Sequence, residues 1–316
     1  MDDRRVLLTG ATGFVGGAVR PALGAAGWRV RCLTRDVQAA RRLHPGPDWV
    51  EGDVTAGHTL HEALEGCQAA LFLVHGMGQG ADFERRERDG ARLFSLAAAR
   101  AGVQRIVYLG GVAPAAGVPS AHLRSRLHVA DVLREGHTPV VELRASMIVG
   151  QGSLSWRIVR DLAARLPVMV LPAWLKTKSE PVAIDDVVVA LVRALDVSLA
   201  GSASFDLPGP DVLSGRQILD EAARAMSLPA PWKVELPVLT PGLSSLWVRF
   251  VTGARWAIAR EVVLGLTSDL LARDDRYWSL IDHARRLPFA EAARRALADD
   301  ASAPHGVWAA VERARH

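Results

Sequence analysis

The stretch TGATGFVG, residues 9–16, follows directly on the apolar run RVLL at 5–8 and opens directly into FVGGAVRPALGAAG at 14–27. Gly10, Gly13 and Gly16 recur in it at every third place. Between a strand and a helix, each of these glycines answers a separate need. Gly10 permits the tight turn, Gly13 lets main-chain amides approach a pyrophosphate, and Gly16 lets helix and strand pack closely. The positive end of the helix then faces the phosphates. Thr12, Phe14 and Val15, interleaved with the glycines, belong to the same cofactor-binding turn. A plain tight turn is the bland alternative, and the strand–turn–helix setting argues against it.

Working outward, short apolar runs alternate with helical stretches through the first half. WRVRCLTR at 28–35 reads as a second strand, WVEGDV at 49–54 as a third and AALFLVHG at 69–76 as a fourth. RIVYLGG at 105–111 is a fifth and VVELRASMIVG at 140–150 a sixth. Continuous apolar strands separated by helices belong to a parallel sheet covered on both faces. The expected fold class is therefore α/β, a doubly wound parallel Rossmann sheet with a smaller, mainly helical C-terminal lobe. Pro21 removes a backbone donor inside the first helix, where a kink is expected.

From about residue 151 the pattern changes. SWRIVRDLAARLP at 155–167 is a helix stopped by Pro167, and PVMVLPAWLKTKSEP at 167–181 reads as a proline- and tryptophan-rich loop. AIDDVVVALVRAL at 183–195 is a helix whose start is marked by Asp185 or Asp186. SASFDL at 202–207 reads as a returning strand, and Ser214 with Gln217 forms a capping box. The remainder reads as helical and irregular. The organisation expected is a nucleotide-binding domain over 1–155, completed by about 185–208, with a substrate lobe from 156–184 and 209–316.

The chain has 316 residues, 49% apolar and 23% charged, which is ordinary for a globular protein of one large domain or two smaller ones. Its net charge is +4, its lysines are only Lys176, Lys178 and Lys233, and its arginines are scattered. Nucleic acid is not an expected partner, because phosphate tracking needs clustered positive charge. Cys32 and Cys67 lack metal-ligand spacing and read as reduced core thiols of a cytoplasmic protein. The opening MDDRRVLLTG has too short an apolar run for a signal peptide, and none is expected.

The choice of dinucleotide turns on the end of the second strand, where a carboxylate would hold a ribose 2′-hydroxyl. Thr34 stands at that place and Arg35 follows, which suits a 2′-phosphate. NADP(H) is thus expected over NAD(H), although Asp36, about twenty residues past Gly16, keeps NAD(H) open. Asp53 and Val54 are read as ending the third strand and flanking the adenine. Val74 and His75, after the fourth strand, are placed beside the ribose or pyrophosphate.

These blocks resemble the atypical, extended short-chain dehydrogenase/reductases, NmrA-like members especially. The resemblance rests on TGATGFVG, on EGDV after the third strand and on ARLFSLAAARAGVQRIVYLGG at 91–111. It continues in LRASMIVG at 143–150, PVAIDDVVVALVRAL at 181–195 and FDLPGPDVLSGRQIL at 205–219. It implies an NAD(P)-binding Rossmann fold and either hydride transfer or cofactor sensing, with LRASMIVG lining the nicotinamide. In typical enzymes of the group a serine ends the fifth strand, a tyrosine protonates the substrate carbonyl, and a lysine four residues on holds the ribose. Here the strand ends Gly110, Gly111; Tyr108 is followed four places later by Val112, and Tyr277 by Ile281.

His122 and Arg126 stand where that tyrosine and lysine are expected, on one face of a helix. A histidine with an ordinary pKa of about 6.5 can exchange protons near neutrality, and a fixed arginine charge beside it lowers that pKa. They are the candidate general acid and electrostatic helper; the same residues also read as a solvated helix face. His58 and His61 share a helix face but lack a third ligand for a metal. Lys176 and Lys178 sit by Trp174 in the loop that closes over the substrate in this fold. The stretch LTPGLSSLWVRFVTGARWAIAREVVLGL at 239–266 does not span a membrane, because Arg249, Arg255 and Arg260 would each cost about 2.5–3.5 kcal/mol at its centre. It is expected by default to pack against the nucleotide domain; the alternatives are to wall a cleft for a small apolar substrate, to form a subunit contact in an oligomer, or to rest on a membrane surface.

Overall fold

The computed structural model describes residues 4–74, 82–114, 119–165, 168–172, 176–228, 232–236 and 268–302. Strand and helix alternate through β1 (Arg5–Leu8), α1 (Phe14–Ala25), β2 (Arg29–Thr34), α2 (Val37–Leu43), β3 (Asp48–Glu51) and α3 (Gly57–Leu64). The alternation continues in β4 (Ala69–Phe72), α4 (Phe83–Arg100), β5 (Arg105–Gly111), α5 (Ala121–Arg134) and β6 (Val140–Ala145). With β11 (Ala203–Asp206), seven strands make one sheet in the order β11-β6-β5-β4-β1-β2-β3. Every pairing in it is parallel. The order reverses between β1 and β4, and at such a switch point the loops leaving the two strands diverge and open a crevice.

Alternation along the strands divides the core between the two faces. Val6, Leu8, Val107 and Leu143 pack with Val19 and Leu23 of α1 on one face. Leu7, Ile106 and Phe72 pack with Leu60 of α3, Phe94 of α4 and Leu133 of α5 on the other. Helix α1 runs on through Pro21 to Ala25, and Gly27 follows with φ +84°. Both cysteines are buried and unbridged.

A third cluster, including Trp156, Leu219 and Phe289, gathers elements of the later chain. The later chain comprises β7 (Ile148–Val149), α6 (Leu154–Arg165), β8 (Val168–Pro172), β9 (Lys178–Ser179), β10 (Val182–Ala183) and α7 (Ile184–Ala194), whose Val187, Ala190 and Leu191 belong to the first cluster. After β11 come β12 (Leu213–Ser214), α8 (Gly215–Ala225), β13 (Trp232–Leu236), α9 (Arg276–Leu280) and α10 (Phe289–Ser302). The capping box forms as expected, with Ser214 and Gln217 satisfying each other's backbone N–H.

Four local expectations need correction. The segment read as a loop at 167–181 contains β8, which pairs in parallel with β13, itself a strand in a stretch read as helical and irregular. The apolar run VMVL fits a pleated pair once a partner is available, and the flanking prolines obscured it. Strand β3 closes at Glu51, so Asp53 and Val54 lie in the following turn. Helix α7 starts from Ala183 without a side-chain cap. Asp186 lies inside its first turn, with Oδ1 2.7 Å from His283 Nε2 while Oδ2 accepts from Leu287 N at 2.8 Å. Its carboxylate closes a long-range clasp, not a local cap.

No helix among the described residues is long and apolar enough to cross a membrane. Residues 239–266 lie outside the described residues, as does Trp174.

Candidate functional site

Strand β1 delivers its carboxyl end to the crevice, and Thr9 fixes it there. The buried Thr9 hydroxyl donates to Leu71 O at 3.2 Å and accepts from Leu73 N at 2.9 Å, tying β1 to the exit of β4. The turn then needs its glycines for steric reasons. Gly10 has φ +66°, and a Cβ on it would stand 2.8 Å from Leu73 O. A Cβ on Gly16 would stand 2.1 Å from Gly10 O, closer than any real side chain can approach. Gly13 N donates to Gly10 O at 2.9 Å, and Gly13 is the N-cap of α1. No side chain caps this helix and no acid sits in its first turn. Its opening amides and positive dipole end therefore keep their capacity for an anion.

Around this turn lies a cleft of about 710 Å³. Gly10, Thr12, Gly13, Phe14, Val15, Gly16, Thr34, Arg35, Asp53, Val54 and Val74 all line it. His75 lies outside the described residues. Arg35 is exposed at the rim. Asp36 also lines the cleft, but its Oδ1 accepts from Ala39 N at 2.8 Å and caps α2. Asp53 Oδ1 accepts from both the N–H and the hydroxyl of Thr55, each at 2.8 Å. Both carboxylates are thus oriented by their own turns.

Sequence reasoning missed Phe83, Arg86 and Glu87 of α4, and Gly152 and Leu154, all of which line the cleft. The first three share a helix face at i, i+3 and i+4, a signal present in the sequence but easily read as surface charge. Gly152 and Leu154 reach the cleft only through tertiary folding.

His122 and Arg126 do not line this cleft. They lie on α5 beside the end of β5, where Arg126 Cδ is 3.9 Å from the place of a Cβ on Gly111. His122 is half-buried rather than solvated. Its pKa is pushed down to about 4, first by burial and then by the Arg126 charge. The Nε of Arg126 is buried with no hydrogen-bond partner among the described residues. Where the serine of the typical enzymes would stand, Leu123 Cδ1 comes within 2.7 Å of a Cβ placed on Gly111. Both tyrosines are occupied elsewhere: Tyr108 donates to Arg126 O at 3.0 Å and Tyr277 to Ala190 O at 2.8 Å. Burial pushes both phenols above their ordinary range. Lys176 and Lys178 are exposed. Among the described residues no group of three or more His, Cys, Asp or Glu side chains is placed to hold a metal ion.

A seven-stranded parallel sheet with a glycine turn at its switch point defines an NAD(P)-binding Rossmann protein. Residues 10–163 match the NAD(P)H-binding family. Ceramide reductase of Caulobacter vibrioides is 28% identical over 251 residues, which is 75% of this chain and 76% of that protein. Citrobacter sp. triphenylmethane reductase, solved with NADP(H), is 20% identical with a TM-score of 0.71, covering 92% of this chain and 99% of that one. The Bordetella bronchiseptica enzyme WbmH, solved with NAD+, is 18% identical with a TM-score of 0.69, covering 95% of this chain and 99% of that one.

Proposed function

We propose that the protein is an NADP(H)-dependent reductase of the cytoplasm that acts on a small apolar carbonyl, quinone or conjugated acceptor. The observation that carries this reading is the convergence of the glycine turn, the Thr34–Arg35 end of β2 and the exit of β4 on one cleft of about 710 Å³. That volume suits a large organic ligand. A dinucleotide fits the groups present: a turn with no room for side chains, an uncapped helix start for the pyrophosphate, and an exposed arginine for a 2′-phosphate. Asp53 and Val54 would flank the adenine.

When bound, the nicotinamide supplies the hydride. Near neutrality the His122 imidazole is uncharged, so it offers a ring N–H as a donor rather than an imidazolium proton. Arg126 offers a fixed charge to a ribose hydroxyl or to a developing oxyanion. A quinone or conjugated acceptor spreads the incoming negative charge, so water can protonate it with less help from a positioned acid. That matches a site whose tyrosine hydroxyls point into main-chain carbonyls. The reductase names borne by ceramide reductase and triphenylmethane reductase favour the same broad class.

The test is NADPH oxidation against a panel of quinones, enals and aldehydes, with turnover expected on at least one delocalised acceptor. Tight NADPH binding with no turnover on any of them would instead favour a cofactor-sensing protein. That second reading draws on the two glycines ending β5 and on the engaged tyrosines.

A further inference from the structure

Helix α5 carries three arginines, Arg124, Arg126 and Arg134. Two of them are neutralised within the fold. Arg124 meets Glu84 of α4 at 2.9 Å, and Arg134 meets both Asp131 and Glu142 of β6. On β6 Arg144 likewise meets Asp206, at 2.6 Å. Arg126 differs. It is half-buried, it has no carboxylate partner among the described residues, and its Nε is buried without an acceptor. Glu87 and Glu142, whose charges reach Tyr108, bond to Ser125 and to Arg134 with Ser204.

Taking a guanidinium partly out of water without a counter-charge costs free energy. The helix adds to the positive potential, because α5 has no acid in its first turn and its N-terminal end is the positive one. The seam between β5 and α5 therefore suits an anion. Arg126 lies over Gly111, its Cδ 3.9 Å from the place of a Cβ there. Around it the seam is apolar: Leu123 Cδ1 stands 2.7 Å from the same place, and Val112 and Ala145 are buried. Neither His122 nor Arg126 lines the cleft, so this seam is separate from it. One guanidinium in apolar surroundings matches one compact single charge. A carboxylate meets that need, since its two oxygens accept from two guanidinium N–H groups in parallel.

We propose that Arg126 anchors the carboxylate of a ligand with an apolar body, seated along the seam between β5 and α5. The inference rests on the reductase reading only in identifying that ligand with the hydride acceptor. The binding step stands by itself.

Benzoate and its neutral counterpart benzamide are the probes, followed by calorimetry and by NMR of the histidine ring protons, with no nucleotide present. Benzoate should bind, and benzamide should bind at least about tenfold more weakly, as expected for hydrogen bonds to a charged group. Bound benzoate should also move the His122 titration upward from about 4, because a neighbouring anion favours the imidazolium. Arg126→Ala should reduce benzoate to the level of benzamide while the thermal midpoint holds or rises, since an uncompensated charge is removed. Arg126→Lys should retain part of the binding. Arg124→Ala, which removes a paired arginine, should leave benzoate unchanged. Failure of benzoate to outbind benzamide, or an Arg126→Ala variant that binds it undiminished, overturns the assignment. NADPH titrated separately reports on the cofactor: loss of NADPH uptake with benzoate binding intact removes the reductase and leaves the carboxylate site standing.

Discussion

The cleft and the β5–α5 seam are built of different material. On the β1–β2 side the surface is main chain, and its shape is forced: a methyl group on Gly16 would stand 2.1 Å from a carbonyl oxygen. On the β5–α5 side the outcome depends on which side chains occupy a few positions. There the hydroxyls have been withdrawn, with Tyr108 turned to Arg126 O and Leu123 crowding the place above Gly111. Gripping a dinucleotide through backbone needs a fixed geometry, so few residues can serve. Protonating an acceptor needs one suitable group within reach, and that group can change while the fold stays. Binding and chemistry are therefore separable in this scaffold.

The largest expected effect breaks the backbone end outright. Gly16→Ala should destabilise the protein by roughly 4 kcal/mol or more, or rebuild the turn, because the clash is with main chain that cannot step aside. NADPH binding should be lost with it. Gly17→Ala is the matched control: its Cβ meets nothing within 4 Å, so it should gain about 0.5–1 kcal/mol from helix propensity. Thermal denaturation and nucleotide titration on both variants check this. Similar losses for the two would mean that the turn is not sterically fixed.

A smaller effect is expected at the rim. Arg35→Ala should cost NADPH about 1.5–3 kcal/mol, ten- to a hundredfold in affinity, through the lost charge-assisted bonds to the 2′-phosphate. NADH should hardly change, since Asp36 is already committed to Ala39 N. Equal losses for both nucleotides would overturn the NADP(H) preference.

The same contrast explains what could be read from the residues alone. The strand–turn–helix and the run of apolar strands declare themselves through period and glycine spacing, and the seven-stranded sheet follows from them. Thr9 was silent, because its role appears only when β1 and β4 stand side by side. Asp186 was misjudged because a helix-start aspartate usually caps locally, whereas this one reaches His283 and Leu287 from about a hundred residues away. Glu87 lay within a charged stretch, FERRERD at 83–89, whose composition favours a solvated face. Only the packing of α4 on α5 turns it inward.

At the β5–α5 seam Tyr108→Phe should cost about 1 kcal/mol of stability, the worth of one hydrogen bond to Arg126 O. It should leave turnover unchanged. A collapse of the maximal rate with an intact fold would make Tyr108 the proton donor after all, and the contrast between cleft and seam would lose its basis.

The finest distinction concerns His122. Its pKa in the folded chain, about 4, lies below the unfolded value of 6.5. Between those values the unfolded chain binds a proton that the folded chain refuses, so stability rises with pH across that window. The contribution is complete above about pH 6.5 and is lost as pH falls toward 4. His122→Gln should flatten that slope in denaturation measured from pH 4 to 7. Its effect on rate is independent of this. If the imidazole N–H helps to place the acceptor, the maximal rate should drop without a change in NADPH affinity, and no acid limb should appear between pH 5.5 and 8. An unchanged rate would leave protonation to water, and α5 would then contribute only Arg126.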